Sequence, residues 1–263
     1  MRARTDFRAL TALAALAALL GAGCVTTATR LEREQKTKQA RSHLDLGVDH
    51  LANGRTALGL RDLLRAEQLD PDNPQTHYAL GVAFQRKGKL DQAVGHLRRA
   101  LEIHPDHHEV RLHLSALYSH LGRYDEAIIE AELLFEDPTF LGPWRALTQR
   151  GWAHYKLGHV ADARRDLQLA YEYANGQYWK TLLNLGILEH EDGHRLEAID
   201  LFQGVLTLEP GPSAEAEANY RLAEIYISLG KRDRAMNHLM AAVAQTPGGR
   251  WGKKSEEYLK RLR

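Results

Sequence analysis

The side chains with most capacity for chemistry are fourteen histidines and one cysteine. His104, His107 and His108 cluster, and His104 and His108 stand at an i, i+4 spacing that would put two imidazoles on one helix face. Pro105 and Asp106 fall between them, and proline breaks the helix that such a pair needs. No paired cysteines or carboxylate-rich calcium loop accompanies the cluster. Phosphate-binding glycine loops and the GxSxG nucleophile elbow are absent too. Nothing supplies a nucleophile, a base and an orienting group together. The chain reads as a non-enzyme with no metal site and no cofactor.

The cysteine, Cys24, cannot form an internal disulfide, so its position carries its meaning. Arg2, Arg4 and Arg8 precede an apolar run from Ala9 to Leu20, the pattern of a secretory signal peptide over residues 1–23. The run is short of the roughly 20 residues a membrane-spanning helix takes. Leu20-Gly21-Ala22-Gly23-Cys24 resembles the bacterial lipobox, departing from it where Gly21 holds the place usual for leucine. The resemblance implies cleavage before Cys24 and covalent lipid, palmitate included, on Cys24. Each buried methylene of such a chain contributes about 0.8 kcal/mol of membrane affinity. A buried cysteine in a signal-anchored protein is the plainer alternative. Val25, in place of an aspartate after the cysteine, favours the outer membrane with the body facing the periplasm. Residues 24–39 lack an apolar period and read as the lipidated N-terminus with a polar tether.

The formal charge of +1 gives no basic excess for a nucleic acid. The 44% hydrophobic and 26% charged residues are globular proportions.

What would position the remaining side chains is a repeat. Leu80-Gly81, Phe84, Gly88, Leu90, Ala93, Leu97, Ala100-Leu101 and Pro105 form one set of landmarks. Small residues at the same register stand at 47, 81, 115, 151, 186 and 223, spaced by 34, 34, 36, 35 and 37. This pattern resembles the tetratricopeptide repeat. The resemblance implies an all-α, right-handed superhelical solenoid of about six helix-turn-helix repeats over residues 40–249. The small residues fit where backbones approach to about 8 Å. Gly88 and its equivalents close the first helix, and Pro71, Pro105 and Pro210 stop the second. Trp251, Tyr258, Leu259 and Leu262 share one helix face, which predicts a capping helix over 250–263. The basic residues of that segment read as a solvated face. Glu189 and Val205 occupy an aromatic and a small position of the fifth repeat, so that repeat is expected to pack less regularly.

In this family positions 2, 5, 9 and 12 of each first helix face the groove. The candidate partner-binding residues are Tyr78, Val82, Leu112, Arg145, Trp152, Tyr155, Leu183, Ile187 and Tyr220. Trp152 and Tyr155, flanked by Leu183 and Ile187, form the strongest patch, since binding energy concentrates on Trp, Tyr and Arg. Packing between repeats is the other use these aromatics could have. Arg41, Arg145 and Lys180 are scattered, which points to a hydrophobic or amphipathic segment rather than a clamped carboxylate.

Lipobox, tether and six repeats together resemble the type IV pilus pilotins, the PilF, PilW and Tgl group. That resemblance implies a lipid-anchored outer-membrane scaffold that binds the secretin PilQ and promotes its insertion and multimerisation, supporting pilus assembly and motility. Two other readings stay open: an envelope adaptor docking peptidoglycan hydrolases or proteases, or a subunit of an outer-membrane protein insertion complex.

Overall fold

The structure is a computed structural model that describes residues 30–262. The expected signal peptide, Cys24 and the first residues of the expected tether lie outside the described residues. The described residues form thirteen helices and no strand. They fall into two compact units divided between Val110 and Arg111.

The first unit holds α1 (30–52), α2 (Thr56–Leu69), α3 (Pro74–Arg86) and α4 (Leu90–Ile103). α5 (His108–His120) begins at the division. The second unit continues with α6 (Tyr124–Phe135), α7 (Pro143–Lys156), α8 (Val160–Tyr173) and α9 (Trp179–Glu191). It ends with α10 (Arg195–Thr207), α11 (Pro212–Ser228), α12 (Arg232–Gln245) and α13 (Arg250–Leu262). Odd and even helices pair as six hairpins, and α13 follows the last.

The hairpins close for steric reasons. A Cβ added to Gly186 would sit 2.8 Å from the Phe202 ring, and one on Gly81 would sit 2.8 Å from Leu97. Real Cβ contacts are not that short, so only glycine lets these helices cross so closely. In the third repeat Ser115 fills the position, and its hydroxyl donates to the Ala127 carbonyl at 2.8 Å. The turns are equally constrained. Gly88 has φ 71°, and its counterparts at 54, 122, 158, 193 and 230 lie between 70° and 85°, where a side chain strains the backbone. Lys89 N–H then reaches back to the Phe84 carbonyl at 2.9 Å, satisfying an orphan acceptor of α3.

The extra residues of the later repeats lie between hairpins. The α6–α7 connection buries Phe140, the α8–α9 turn carries Asn175 at φ 48°, and the α10–α11 turn carries Glu209 at φ 47°. Core leucines recur at one register: Leu63, Leu97, Leu167 and Leu239 have no exposed surface, with Phe202 in that place in the fifth repeat.

Two expectations about packing change. The first helix already includes residue 30, the first described, although 30–39 are all exposed and Ala40 is the first buried residue among those described. The polar stretch is therefore helical over 30–39. The fifth repeat is as regular as the rest. Val205 is fully buried, and Glu189, though buried, accepts a hydrogen bond from Arg164 and pairs with His194 Nδ1 at 2.6 Å. A carboxylate fits there because the Arg164 guanidinium and the His194 ring reach it from neighbouring segments.

α13 packs on both α11 and α12, with Trp251 buried. Among the described residues no helix is long and apolar enough to cross a membrane.

Candidate functional site: a cleft along α7, α9 and α11

The first helices of the last three hairpins lie side by side, α7 against α9 and α9 against α11. Thr148 donates to its own helix at the Trp144 carbonyl (2.6 Å) and meets the Thr181 hydroxyl at 2.6 Å. Both threonines are buried, so this polar pair ties α7 to α9 beneath the surface. α11 starts at Pro212, whose ring suits the first helical turn. Gly211 precedes it at φ 108°, and its N–H donates to Glu215 Oε1 at 3.1 Å. The Pro210-Gly211-Pro212 turn is held as a rigid wall.

Between these elements lies a cleft of about 470 Å³. Thr148, Gln149 and Trp152 come from α7, and Trp179, Lys180, Leu183 and Asn184 from α9. Residues 210–214 and Glu217 close the far side. Trp152 and Tyr155 stack at a tilt of 31° with centroids 5.1 Å apart, and Lys156 Nζ lies 4.5 Å from the Trp152 ring. The Tyr155 hydroxyl donates to Glu191 Oε1 at 2.6 Å. Burial first, then that carboxylate, push the Tyr155 phenol up to about 12, so it stays a donor.

The cleft carries both signs of charge. Burial, then the Arg145 guanidinium, push the Lys180 ammonium down, and burial pushes the Glu217 carboxyl up against the pull of Arg221 and Arg250. Each is a poorly solvated group that gains from a partner of opposite charge or a hydrogen bond. With two indoles and a proline wall beside them, the surface suits a polypeptide segment with an apolar or aromatic side chain.

The first unit has a separate cleft of about 530 Å³ between α1 and α3. Leu44, Val48, Leu51, Tyr78, Ala79 and Val82 make it largely apolar, with Arg86 at its edge. Arg86 is tied back by donating to the Leu51 carbonyl.

Of the candidate residues, Tyr78 and Val82 line this first cleft. Trp152 and Leu183 line the second, with Arg145 beside Lys180 and Tyr155 beside Trp152. Four candidates lie deeper than the groove surface. Leu112, Leu183, Ile187 and Tyr220 are all buried. Leu112 packs with Leu134, Phe140 and Ala146. Leu183 keeps a share of the cleft floor, and Ile187 belongs to the core beneath it. Tyr220 is covered by Trp251 of α13 at 5.1 Å and by Tyr258 at 6.4 Å. The capping helix thus ends the accessible face near Glu217.

Sequence register missed Trp179 and the Pro210–Pro212 wall. Trp179 sits one place before the groove-facing Lys180, and the prolines read only as helix stops. The neighbouring aromatic was the one available signal.

A family model described as Tetratricopeptide repeat matches residues 44–108 and 148–215, and a second of the same description matches 84–150 and 190–253. No curated protein matches the sequence. Among solved structures, PilF of Pseudomonas aeruginosa is 17% identical with a TM-score of 0.66, over 85% of this chain and 99% of that one. PilW, titled a widely conserved type IV pilus biogenesis factor, is 19% identical at 0.68, over 82% and 97%. The structure of the APC/C hetero-tetramer Cut9-Hcn1 is 20% identical at 0.71, over 85% of this chain and 43% of that one. At these identities the likeness is one of fold.

Proposed function

The chain belongs to the tetratricopeptide repeat family, and from that premise we propose that it is a lipid-anchored outer-membrane scaffold, a pilotin, that holds secretin subunits of the type IV pilus while they insert and multimerise. The observation that carries the reading is the cleft of Trp152, Trp179, Lys180 and the Pro210–Pro212 wall. It is an aromatic, preformed surface for an extended or amphipathic polypeptide. The fold likeness to PilF and PilW over nearly their whole length supports the choice of client class, as does the lipobox resemblance at Cys24.

In mechanism, acyl chains on Cys24 concentrate the repeats at the inner surface of the outer membrane, and the cleft takes up an apolar segment of an unassembled subunit. Lys180 and Glu217 meet polar groups of the guest that would otherwise be left unpaired. Release follows when ring closure buries the same segment. Chemistry plays no part: the scaffold acts by local concentration and shielding.

The test is an immunoblot for heat-stable secretin multimers in a deletion strain complemented with wild-type or variant protein. Wild type restores the multimers, and Trp152→Ala with Trp179→Ala restores them poorly while helicity is kept. Multimers unchanged by the deletion would sink the pilotin reading, and would turn attention to cell-wall integrity or bulk barrel insertion. Cys24→Ala should leave the outer-membrane fraction, and persistent association there would overturn the lipid anchor.

A further inference from the structure

Three side chains in the first unit converge where no linear motif announces them. Glu67 lies on α2, His77 on α3 and His96 on α4. His77 Nδ1 and His96 Nδ1 are 3.2 Å apart, and Glu67 Oε1 lies 3.6 Å from the first and 3.7 Å from the second. A triangle with these edges has its centre about 2.0 Å from every corner, which is the bond length of zinc to imidazole nitrogen and carboxylate oxygen. We propose that Glu67, His77 and His96 bind a divalent transition-metal ion of the zinc class that staples the first repeat to the second.

The surroundings match what such an ion requires. His77 Nε2 donates to the Pro71 carbonyl at 2.8 Å, which fixes the tautomer and leaves the Nδ1 lone pair facing the centre. An outer partner of this kind is the usual companion of a metal-bound histidine. Without a cation the arrangement is poor. A single proton on His96 Nδ1 satisfies the contact to His77 and leaves the Glu67 carboxylate facing the His77 lone pair. His77 is nearly buried, while His96 and Glu67 keep 21% and 28% of their side chains exposed, so an ion has a way in. Two imidazoles and one carboxylate suit zinc and its neighbours and disfavour magnesium or calcium.

The sixth repeat holds the ordinary form of the same place. His238 stacks on Tyr226 at 5.4 Å and 11°, as His96 stacks on Phe84 at 5.1 Å and 11°. There the counterpart of His77 is Asn219, whose Oδ1 lies 2.8 Å from His238 Nδ1. A simple hydrogen bond meets the packing need. The second repeat has a second imidazole instead, with a carboxylate brought to both rings.

The experiment is a titration of the full-length protein, freed of metal with EDTA, with cobalt(II) chloride and then zinc chloride. One cobalt per chain should produce visible d–d bands that zinc abolishes. Changing an outer partner of a metal site already costs about 10–100-fold in affinity. Loss of a ligand in Glu67→Gln or His96→Gln should therefore weaken binding by about 100-fold or more. His159→Gln, at the exposed corner of the His154–His159–Asp162 group of the second unit, should leave the bands unchanged. If His96→Gln loses helicity, Glu67→Gln, which removes only a charge, carries the test. Absence of bands at one equivalent, bands surviving in Glu67→Gln, or bands lost in His159→Gln would each overturn the site.

Discussion

Asp166 offers the sharpest test of how the cleft is held in shape. Its side chain is 1% exposed and accepts two hydrogen bonds from Arg150, Nε at 2.7 Å and Nη2 at 2.9 Å. The pair joins α8 to α7, the helix that carries Trp152 and Tyr155. Asp166→Ala leaves the guanidinium against the Phe135 ring, 5.1 Å away, with Glu132 at 3.9 Å and the charge of Glu136 to answer it. Breaking a buried pair from one side costs about 3–5 kcal/mol. Glu132 is half exposed, and an exposed pair returns under about 1 kcal/mol. The net loss is about 3 kcal/mol, and a unit of this size loses about 2–4 °C per kcal/mol, so the midpoint should fall by about 6–12 °C. All four tryptophans (144, 152, 179 and 251) lie in the second unit, so their emission during thermal and urea unfolding reports that unit alone. Arg150→Met with Asp166→Leu removes both charges and should return to within about 1 kcal/mol of wild type. A single variant that loses less than 1 kcal/mol, or a double variant less stable than the single, would refute the reasoning.

Two further outcomes follow from the packing and the burial of histidine. Gly186→Val forces methyl groups into the Phe202 ring and should cost about 1–3 kcal/mol by overpacking, with part recovered by Phe202→Leu in the same urea titration; an unchanged midpoint would contradict the crossing geometry. His113 and His238 have their pKa pushed below the ordinary 6.5 by burial. The folded protein therefore refuses protons that the unfolded chain accepts, so their contribution is intact above pH 6.5 and is lost as pH falls below it. Urea midpoints in EDTA should drop from pH 7.5 to 5.5, and His113→Gln with His238→Gln should flatten that slope; a flat wild-type profile would exclude the effect.

The hairpins were legible because each landmark answers a local steric demand. Gly81 and Gly186 are read from sequence as close-approach residues, and a Cβ at either would collide with the opposing Leu97 or Phe202. Gly88 is read as a turn, and its φ is positive. What register could not supply is how deeply a groove-facing position sits. Position 5 of the first helix is buried in four successive repeats, as Leu112, Thr148, Leu183 and Tyr220. Side chains there lie in the seam where neighbouring first helices meet, whereas Trp152 and Tyr155 at positions 9 and 12 remain only half covered. Glu189 misled for a related reason. A carboxylate in an apolar position looks like a defect until Arg164, twenty-five residues away, is seen to reach it.

The same limit explains both parts of the molecule that sequence reading passed over. Pro210–Pro212 becomes a wall only because α11 starts directly beside α9, and Trp179 becomes lining only because α7 holds Trp152 opposite it. Glu67, His77 and His96 come from three helices, with gaps of ten and nineteen residues that match no helical period. The histidines that do cluster in sequence point elsewhere: His104 and His107 meet edge to face at 5.6 Å in the turn before α5, and His107 packs on Tyr78. A solenoid assembles its sites from residues about one repeat apart, so spacing within a single helix is the wrong ruler for finding them. The useful ruler is the repeat itself. Laying the second repeat over the sixth pairs His77 with Asn219 and His96 with His238, and the substitution of an imidazole for an amide is what marks the second repeat as different.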